Sequence, residues 1–288
     1  MKRYTIVHRT TYRFSGNVQL LPHTLRLRPR EGHELHIESS TLEITPAATL
    51  RWQRDVEGNC IAVAAFADTA TMLVITSEIV IQQYDQTPYD FLVADYAVNF
   101  PLSYRDEEAV LLSPWLGGAT ATDSPLLQQW LETLLTPDEQ LQTFAVLLRL
   151  NQRIYQSLHY RRREEEGVQT PEQTLWLRSG SCRDYASLFM AAARMLGFAS
   201  RFVSGYLYSE ATSVRAGPSG STHAWAEVFI PGAGWKGFDA TTGTMVGADH
   251  IAVAVARRPD AVPPIAGSFI GPYGATMTVE VWVTELGA

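Results

Sequence analysis

One long apolar helix that begins near a cysteine constrains this chain more than any other feature. Between residues 186 and 196 the polar residues are Ser187 and Arg194, whose separation of seven places both on one narrow stripe of a helix. A helix that is apolar on nearly every other side is buried, and Gly197 is the residue expected to end it. The sequence therefore predicts a buried central helix with Cys182 in its first turn.

Cys182 occupies the position where this helix begins. The free backbone N–H groups and the positive end of the helix dipole at such a position favour a thiolate over a thiol, which suits a nucleophile. The alternative is a small buried apolar residue, a common role for a free cysteine. The residues further along the chain decide between the two.

Charge and cysteine content exclude several classes of function. The 288 residues carry a formal net charge of −7 and a pI of about 5.5, whereas surfaces for nucleic acid or anionic membranes need clustered Lys and Arg. No apolar run approaches the ~18 residues of a membrane span, and no signal peptide is visible. With Cys60 and Cys182 as the only cysteines, neither a disulfide framework nor a zinc motif is expected. We expect a cytoplasmic protein without nucleic-acid, membrane, metal or cofactor partners.

The first 85 residues carry strand patterns separated by turn signals. Residues 4–14 are rich in β-branched and aromatic side chains, 15–17 and 55–59 contain turn residues, and 60–67 and 72–82 form two further strand patterns. Short strands at this spacing predict an N-terminal antiparallel β-sandwich.

A second region of mixed helices and strands is expected to follow. We place the domains at 1–100 and 101–288, because residues 86–122 show few periodic signals. A Ser-Pro pair opens a predicted helix over 124–135. A Thr-x-x-Glu capping box opens another over 136–158.

After the cysteine helix the pattern changes to strands. Residues 201–208, 222–230 and 235–239 predict strands, and 247–256 and 276–285 are expected to complete the same antiparallel sheet. The predicted fold class is therefore α+β. It comprises the N-terminal β-sandwich and a core in which a central helix packs on an antiparallel sheet.

Two strands of this sheet bring a histidine and a carboxylate together. The turn at 231–234 folds the chain so that Asp239 comes within a few residues of His223, although the turn type leaves the register open. A carboxylate beside an imidazole fixes its tautomer, and an imidazole beside a helix-start cysteine can take its proton. Cys182, His223 and Asp239 are therefore a candidate catalytic triad. Taken singly, His223 is also compatible with a core or surface role and Asp239 with a turn.

Three sequence blocks, at 180–186, 223–229 and 234–239, resemble the core motifs of the transglutaminase-like superfamily. They run Gly-Ser-Cys-Arg-Asp-Tyr-Ala, His-Ala-Trp-Ala-Glu-Val-Phe and Gly-Trp-Lys-Gly-Phe-Asp, and their spacing is also similar. The N-terminal strands resemble the β-domain that precedes this core in bacterial members, so the resemblance covers nearly the whole chain.

This resemblance implies a papain-like cysteine protease core that acts on a protein or peptide. It implies Cys182 as the nucleophile, His223 as the general base and acid, and Asp239 as the residue that orients the histidine. The Cys182 backbone N–H is the natural first donor of an oxyanion hole. Tyr160 and Trp176 are candidates for the second donor, each with packing as its alternative role.

The predicted function is thiol-dependent amide hydrolysis through a thioester acyl-enzyme. Water is the expected acceptor because an amine wins only where the site excludes water. Beside His223 the sequence has only a small, polar loop at 209–221, expected to be a mobile lip of the site, and no further β-domain follows to roof the cleft. Two alternatives stay open: a transglutaminase that forms isopeptide bonds, and a non-catalytic module that binds protein through the β-sandwich. The intact triad favours an enzyme over the module.

Overall fold

The structure, a computed structural model, describes residues 1–84, 87–117, 124–136, 139–163, 165, 167–208 and 222–287. The first strands along the chain are β1 (Lys2–Leu20), β2 (His23–Leu25), β3 (Leu35–Thr45), β4 (Ala48–Arg54), β5 (Cys60–Phe66) and β6 (Thr69–Gln83). Buried side chains alternate with more exposed ones along much of β1 and β6, as the two-residue period of a strand requires.

The rest of the described chain alternates helices and strands. Its helices are α1 (Asp106–Leu112), α2 (Pro125–Glu132), α3 (Thr143–Ser157), α4 (Pro171–Leu177) and α5 (Cys182–Met195). Its strands are β7 (His159–Tyr160), β8 (Ser179–Gly180), β9 (Ser200–Leu207), β10 (His223–Ile230), β11 (Gly234–Asp239), β12 (Thr244–Met245), β13 (His250–Ala256), β14 (Ile265–Ala266), β15 (Phe269–Ile270) and β16 (Ala275–Glu285). Within the described ranges, no helix has the length and apolarity needed to cross a bilayer.

Two antiparallel sheets form the N-terminal sandwich. One has the strand order β15-β1-β6-β3, with β16 also paired to β1, and the other has the order β14-β2-β5-β4. Side chains of both sheets meet in one apolar cluster, to which Leu20, Leu25, Ala64 and Ile75 contribute. The predicted antiparallel β-sandwich is confirmed, and apolar burial between its sheets stabilises it.

The turn predicted at 15–17 is wrong. β1 continues through this segment to Leu20, and its register with β6 shifts between Arg13 and Val18. A bulge explains the difference, because it absorbs extra residues and increases the local twist without ending the pairing of the two strands. The glycine in this segment therefore marks an irregularity within one strand.

The core packs α5 against an antiparallel sheet with the strand order β12-β11-β10-β9-β13. Leu188 and Phe189 of α5 are 0% exposed and belong to the same apolar cluster as Val228 and Phe238 of the sheet. This burial confirms the central helix and the α+β fold class. Gly197 follows the helix with a φ of 89°, the left-handed conformation in which glycine commonly ends a helix.

The helix predicted over 136–158 begins later than its capping signal indicates. The segment before α3 instead makes sheet-like hydrogen bonds, from the Phe100 backbone N to the Leu141 oxygen at 2.9 Å and from the Thr143 N to the Val98 oxygen at 2.8 Å. These bonds satisfy backbone groups that a longer helix would have used. Tertiary contacts therefore override the local signal, and α3 starts at Thr143.

The last strand joins the N-terminal sheet, which corrects its predicted place in the core sheet. β16 pairs with β1 from Glu285 opposite Tyr4 to Ala275 opposite Phe14. Its side-chain pattern indicates which face is buried but not which strand it pairs with. The chain thus returns from the core to the sandwich. The predicted boundary between the domains 1–100 and 101–288 stays a prediction.

Candidate active site

Cys182 is the first residue of α5, and a buried carboxylate within the same turn holds the helix start in place. Asp184 is 0% exposed and accepts hydrogen bonds from the backbone N and the Oγ of Ser181, both at 2.8 Å. A Ser followed three residues later by an acidic side chain is a helix-start pattern. The Ser-x-x-Asp spacing is the sequence signal that could have identified this cap. The cap sets the residue at which the helix begins and therefore the position of the thiol.

A buried ion pair connects this cap to the preceding loop. Arg163 Nη1 lies 2.8 Å from Asp184 Oδ1, and the Gln169 backbone N–H donates to the same oxygen at 2.8 Å. Burial alone would raise the pKa of the Asp184 carboxyl, but its hydrogen bonds outweigh burial and lower the pKa. The ionised carboxylate thus ties the loop to the start of the nucleophile helix. The sequence analysis did not identify this contact.

His223, the first residue of β10, lies beside Asp239, the last residue of β11. The two strands form the predicted hairpin, and its register places His223 Nε2 2.9 Å from Asp239 Oδ2. The other carboxylate oxygen accepts hydrogen bonds from the Thr241 backbone N at 2.9 Å and from its Oγ1 at 2.7 Å. The predicted lip at 209–221, which precedes His223, lies outside the described residues.

The same histidine also interacts with the Cys182 side chain, and this interaction helps to raise its pKa. Because Nε2 faces the carboxylate, Nδ1 is the ring atom left for the sulfur. Burial alone would lower the pKa of His223, but its interactions with Asp239 and Cys182 outweigh burial and raise the pKa to about 10. The structure therefore brings the three residues of the candidate triad together, with His223 between the carboxylate and the thiol.

Asp239 provides a buried negative charge at the end of this line. Its side chain is 0% exposed, and burial alone would raise its pKa. Hydrogen bonds from His223 and His250 reverse this effect and hold the pKa well below its ordinary value. The two opposite shifts keep the proton on the histidine and the charge on the carboxylate at neutral pH.

A second histidine, His250, meets the same carboxylate oxygen, and the sequence analysis missed it. Its Nε2 lies 3.1 Å from Asp239 Oδ2, and its side chain is 7% exposed. His250 begins β13, which is separated from β11 by two other strands of the sheet. A histidine at the start of a strand carries no local signal of the distant residue that its ring will contact.

The three side chains around this oxygen could also present ligand atoms to a metal. His223, Asp239 and His250 each offer one ligand atom within 4.8 Å of the others, and they form the one such group found among the described residues. Both histidine nitrogens, however, lie at hydrogen-bond distance from a single carboxylate oxygen. This arrangement satisfies both donors without an ion, so the geometry favours a hydrogen-bonded network.

Of the two candidates for a second oxyanion donor, Tyr160 lies at the thiol. The parallel pairing of β7 and β8 sets Tyr160 opposite Gly180, two residues before Cys182. Partial burial and the neighbouring Cys182 raise the pKa of the Tyr160 hydroxyl to about 12. The hydroxyl therefore keeps its proton at neutral pH and can donate it in a hydrogen bond. Trp176, on α4, is 77% exposed.

Family models match both regions of the chain. The model of the bacterial transglutaminase-like N-terminal region matches residues 4–82, which lie in the sandwich. The model of the transglutaminase-like superfamily matches residues 132–240. The second match includes Cys182, His223 and Asp239.

Individual proteins are similar over most of the chain. Uncharacterized proteins of Mycobacterium tuberculosis and Mycobacterium bovis are each 29% identical over 289 residues, which cover 92% of this chain and 87% of theirs. The crystal structure of a candidate cysteine protease from Cytophaga hutchinsonii has a TM-score of 0.73 at 19% identity, over 100% of this chain and 91% of that one. That likeness shows a shared fold. From its two model matches, which span residues 4–82 and 132–240, the chain belongs to the transglutaminase-like superfamily.

Proposed function

We propose that this protein is a thiol-dependent amide hydrolase, a cysteine peptidase with Cys182 as its nucleophile. In this proposal His223 is the general base and acid, and Asp239 orients the histidine. The observation that carries it is the position of His223, which hydrogen-bonds a buried carboxylate at 2.9 Å and also interacts with the Cys182 thiol. A thiol, an imidazole and a carboxylate in this order suit acyl transfer through a covalent intermediate.

In the first half of the reaction, the Cys182 sulfur attacks the carbonyl carbon of an amide. His223 already holds the thiol proton, so the sulfur attacks as a thiolate, a C–S bond forms, and the carbonyl oxygen becomes an oxyanion near the Cys182 N–H and the Tyr160 hydroxyl. As the C–N bond breaks, His223 gives the proton to the leaving nitrogen. An amine departs and a thioester remains, while Asp239 stays ionised and stabilises the imidazolium.

In the second half, water attacks the thioester. His223, now neutral, takes a proton from the water as the C–O bond forms, and it keeps that proton as the C–S bond breaks and the sulfur leaves as a thiolate. The product is a carboxylic acid. We propose water rather than an amine because amine transfer needs a site that excludes water, and Tyr160, beside the thiol, is 52% exposed.

The proposed substrate is a protein or a peptide. Support comes from the fold shared with the Cytophaga hutchinsonii protein, itself a candidate cysteine protease. The superfamily match also supports chemistry at amide carbonyls. Transfer of the acyl group to an amine, as in a transglutaminase, differs from this proposal only in the acceptor.

Trapping of the acyl-enzyme tests the proposal. The protein is incubated with a peptide library and a labelled primary amine, and both products and protein are analysed by mass spectrometry. We expect peptide cleavage and a transient acyl adduct on Cys182, both lost in Cys182→Ser and retained in the matched variant Cys60→Ser. Stable incorporation of the amine that depends on Cys182 would instead make the protein a transglutaminase. Absence of any turnover that depends on Cys182 would favour the binding module.

A further inference from the structure

Asp239 is held by more groups than a triad requires. Thr241 donates twice to Oδ1, whereas Oδ2 lies 2.9 Å from His223 Nε2 and 3.1 Å from His250 Nε2. On the other side of its ring, His250 Nδ1 accepts the Gly247 backbone N–H at 3.4 Å. Because Nδ1 accepts a hydrogen bond, Nε2 is the nitrogen that carries a proton and donates it to the carboxylate.

This donor matters because the carboxylate is fully buried. A carboxylate removed from water needs several hydrogen-bond donors to stay ionised. The ring of His250 packs edge-on against Trp225, with 5.3 Å between the ring centroids, and its side chain is 7% exposed. Because the His250 ring has so little room to turn, its hydrogen bond holds Asp239 Oδ2, the oxygen that faces His223, in one direction.

The segment that carries His250 is tied to the N-terminal sandwich. Asp249 Oδ1 accepts hydrogen bonds from the Tyr4 hydroxyl and from Lys2 Nζ, both at 2.8 Å. The His250 carbonyl oxygen accepts a third from Gln83 Nε2 at 3.3 Å. Tyr4 and Gln83 are 0% and 5% exposed, so we expect them to contribute more than the partly exposed Lys2 pair.

An apolar interface keeps this connection rigid. Ile79 and Ile81 of the sandwich belong to one buried cluster with Ile251 and Val253 of β13, and each is at most 3% exposed. Close-packed side chains of this kind leave little freedom for one sheet to move over the other. A displacement of the sandwich strands would therefore reach β13 and its first residue, His250.

We propose that His250 is a positioning residue that aims the Asp239 carboxylate at His223. The N-terminal sandwich acts on the site through it, because Tyr4 and Gln83 hold the segment that carries His250. This inference rests on the proposed function, since positioning affects catalysis only if the triad turns over a substrate. It gives the sandwich a part in the active site in place of a separate binding role.

The first test replaces His250 by Leu, which removes the donor, and by Gln, which keeps an N–H donor at a similar place. We expect His250→Leu to lower kcat by roughly 10- to 100-fold, the range found when partners that orient metal-bound side chains are removed, with KM little changed. His250→Gln should recover most of the kcat. The low-field ring N–H proton of His223 in the NMR spectrum should be lost in the Leu variant and present in the Gln variant.

The second test addresses the sandwich. Tyr4→Phe combined with Gln83→Met removes the two buried anchors. The matched double variant, Tyr84→Phe with Gln82→Met, removes a hydroxyl and an amide that hydrogen-bond each other at an exposed position nearby. We expect a loss of kcat of roughly 3- to 10-fold in the first variant and none in the second.

The outcomes separate this inference from the proposed function. If His250→Leu keeps both the wild-type kcat and the His223 proton signal, the inference is overturned and the proposed function stands. If wild type shows no amide hydrolysis but His250→Leu still loses that signal, the proposed function fails and the positioning contact stands. If both His250 variants unfold, the Tyr4 and Gln83 double variant decides, and an unchanged kcat there overturns the inference.

Discussion

Two buried histidines in this protein reach opposite charge states. His8 lies between the sandwich and the core at 1% exposure, with its ring nitrogens 3.1 Å from the Tyr206 hydroxyl and 3.0 Å from Thr10 Oγ1. Burial lowers the pKa of His8 to about 4. The side chain of His223 is also enclosed, at 11% exposure, but its pKa is raised to about 10.

The hydrogen-bonding partners of the two rings, rather than their burial, account for the difference between the two pKa values. Burial lowers the pKa of both rings because it disfavours the charged form. At His223 the interactions with a buried carboxylate and a thiol reverse the direction of the pKa shift, whereas the hydroxyl partners of His8 do not reverse it. Burial alone yields a neutral, inert imidazole, and a buried anion is what lets a ring hold a proton at neutral pH.

The largest change should come from removing that anion. Asp239→Asn keeps the size of the side chain but loses its charge, so burial should move the pKa of His223 downward, toward the behaviour of His8. We expect kcat to fall by about 10²- to 10⁴-fold, measured on a peptide substrate, with an unchanged circular dichroism spectrum. The exposed carboxylate of Asp260 provides the control, Asp260→Asn. Full activity of Asp239→Asn would mean that another residue orients His223.

The next effect concerns the two thiols. Cys182 and Cys60 are both free and half-buried, so exposure favours neither. Cys182 begins a helix and has the His223 imidazole beside it, whereas Cys60 lies in β5 opposite Arg54. We expect iodoacetamide at neutral pH to alkylate Cys182 at least about ten times faster, as followed by mass spectrometry of the digested protein. Equal rates would contradict activation of Cys182 by its neighbours.

The contributions of His223 and His8 to the free energy of unfolding should also depend on pH in opposite directions. The folded-state pKa of His223 is raised above 6.5, so its contribution to the free energy of unfolding is fully present below pH 6.5 and lost as the pH rises toward 10. Over this window the free energy of unfolding of His223→Gln should decline less steeply with pH than that of wild type. The two slopes should differ by at most about 1.4 kcal/mol per pH unit, the value for one proton. Urea unfolding at a series of pH values measures the slope, and parallel curves would refute the assignment.

The smallest effect is expected from His8, on the acid side. Its folded-state pKa is lowered to about 4, so its neutral ring contributes stability above pH 6.5 that is lost as the pH falls from 6.5 toward 4. His8→Gln should flatten this part of the curve in the same unfolding experiment. The change is partly masked because carboxylates begin to titrate in the same range. An unaltered acid slope would show that His8 is not the group responsible.

Local patterns were sufficient to predict the elements that carry the candidate triad. The apolar run after Cys182 predicts α5, the alternation around His223 predicts β10, and the turn residues at 231–234 predict the hairpin that brings Asp239 near. These features depend on residues that are close in sequence, so side-chain period and turn chemistry determine them. Local signals failed at 15–17, where tertiary pairing carried a strand through a predicted turn.

Only the tertiary structure decided which distant partners these elements meet. No local pattern indicates that β13, three places from β11 in the sheet, would bring His250 to Asp239. The same holds for the ion pair of Arg163 with Asp184 and for the pairing of β16 with β1. The period of a strand reveals its buried face, whereas its neighbour is selected by packing and backbone hydrogen bonds across the whole fold. The sequence by itself thus determined the chemical types and local structure of the candidate triad. The tertiary fold decided what holds its carboxylate in place, because those contacts join segments that are far apart along the chain.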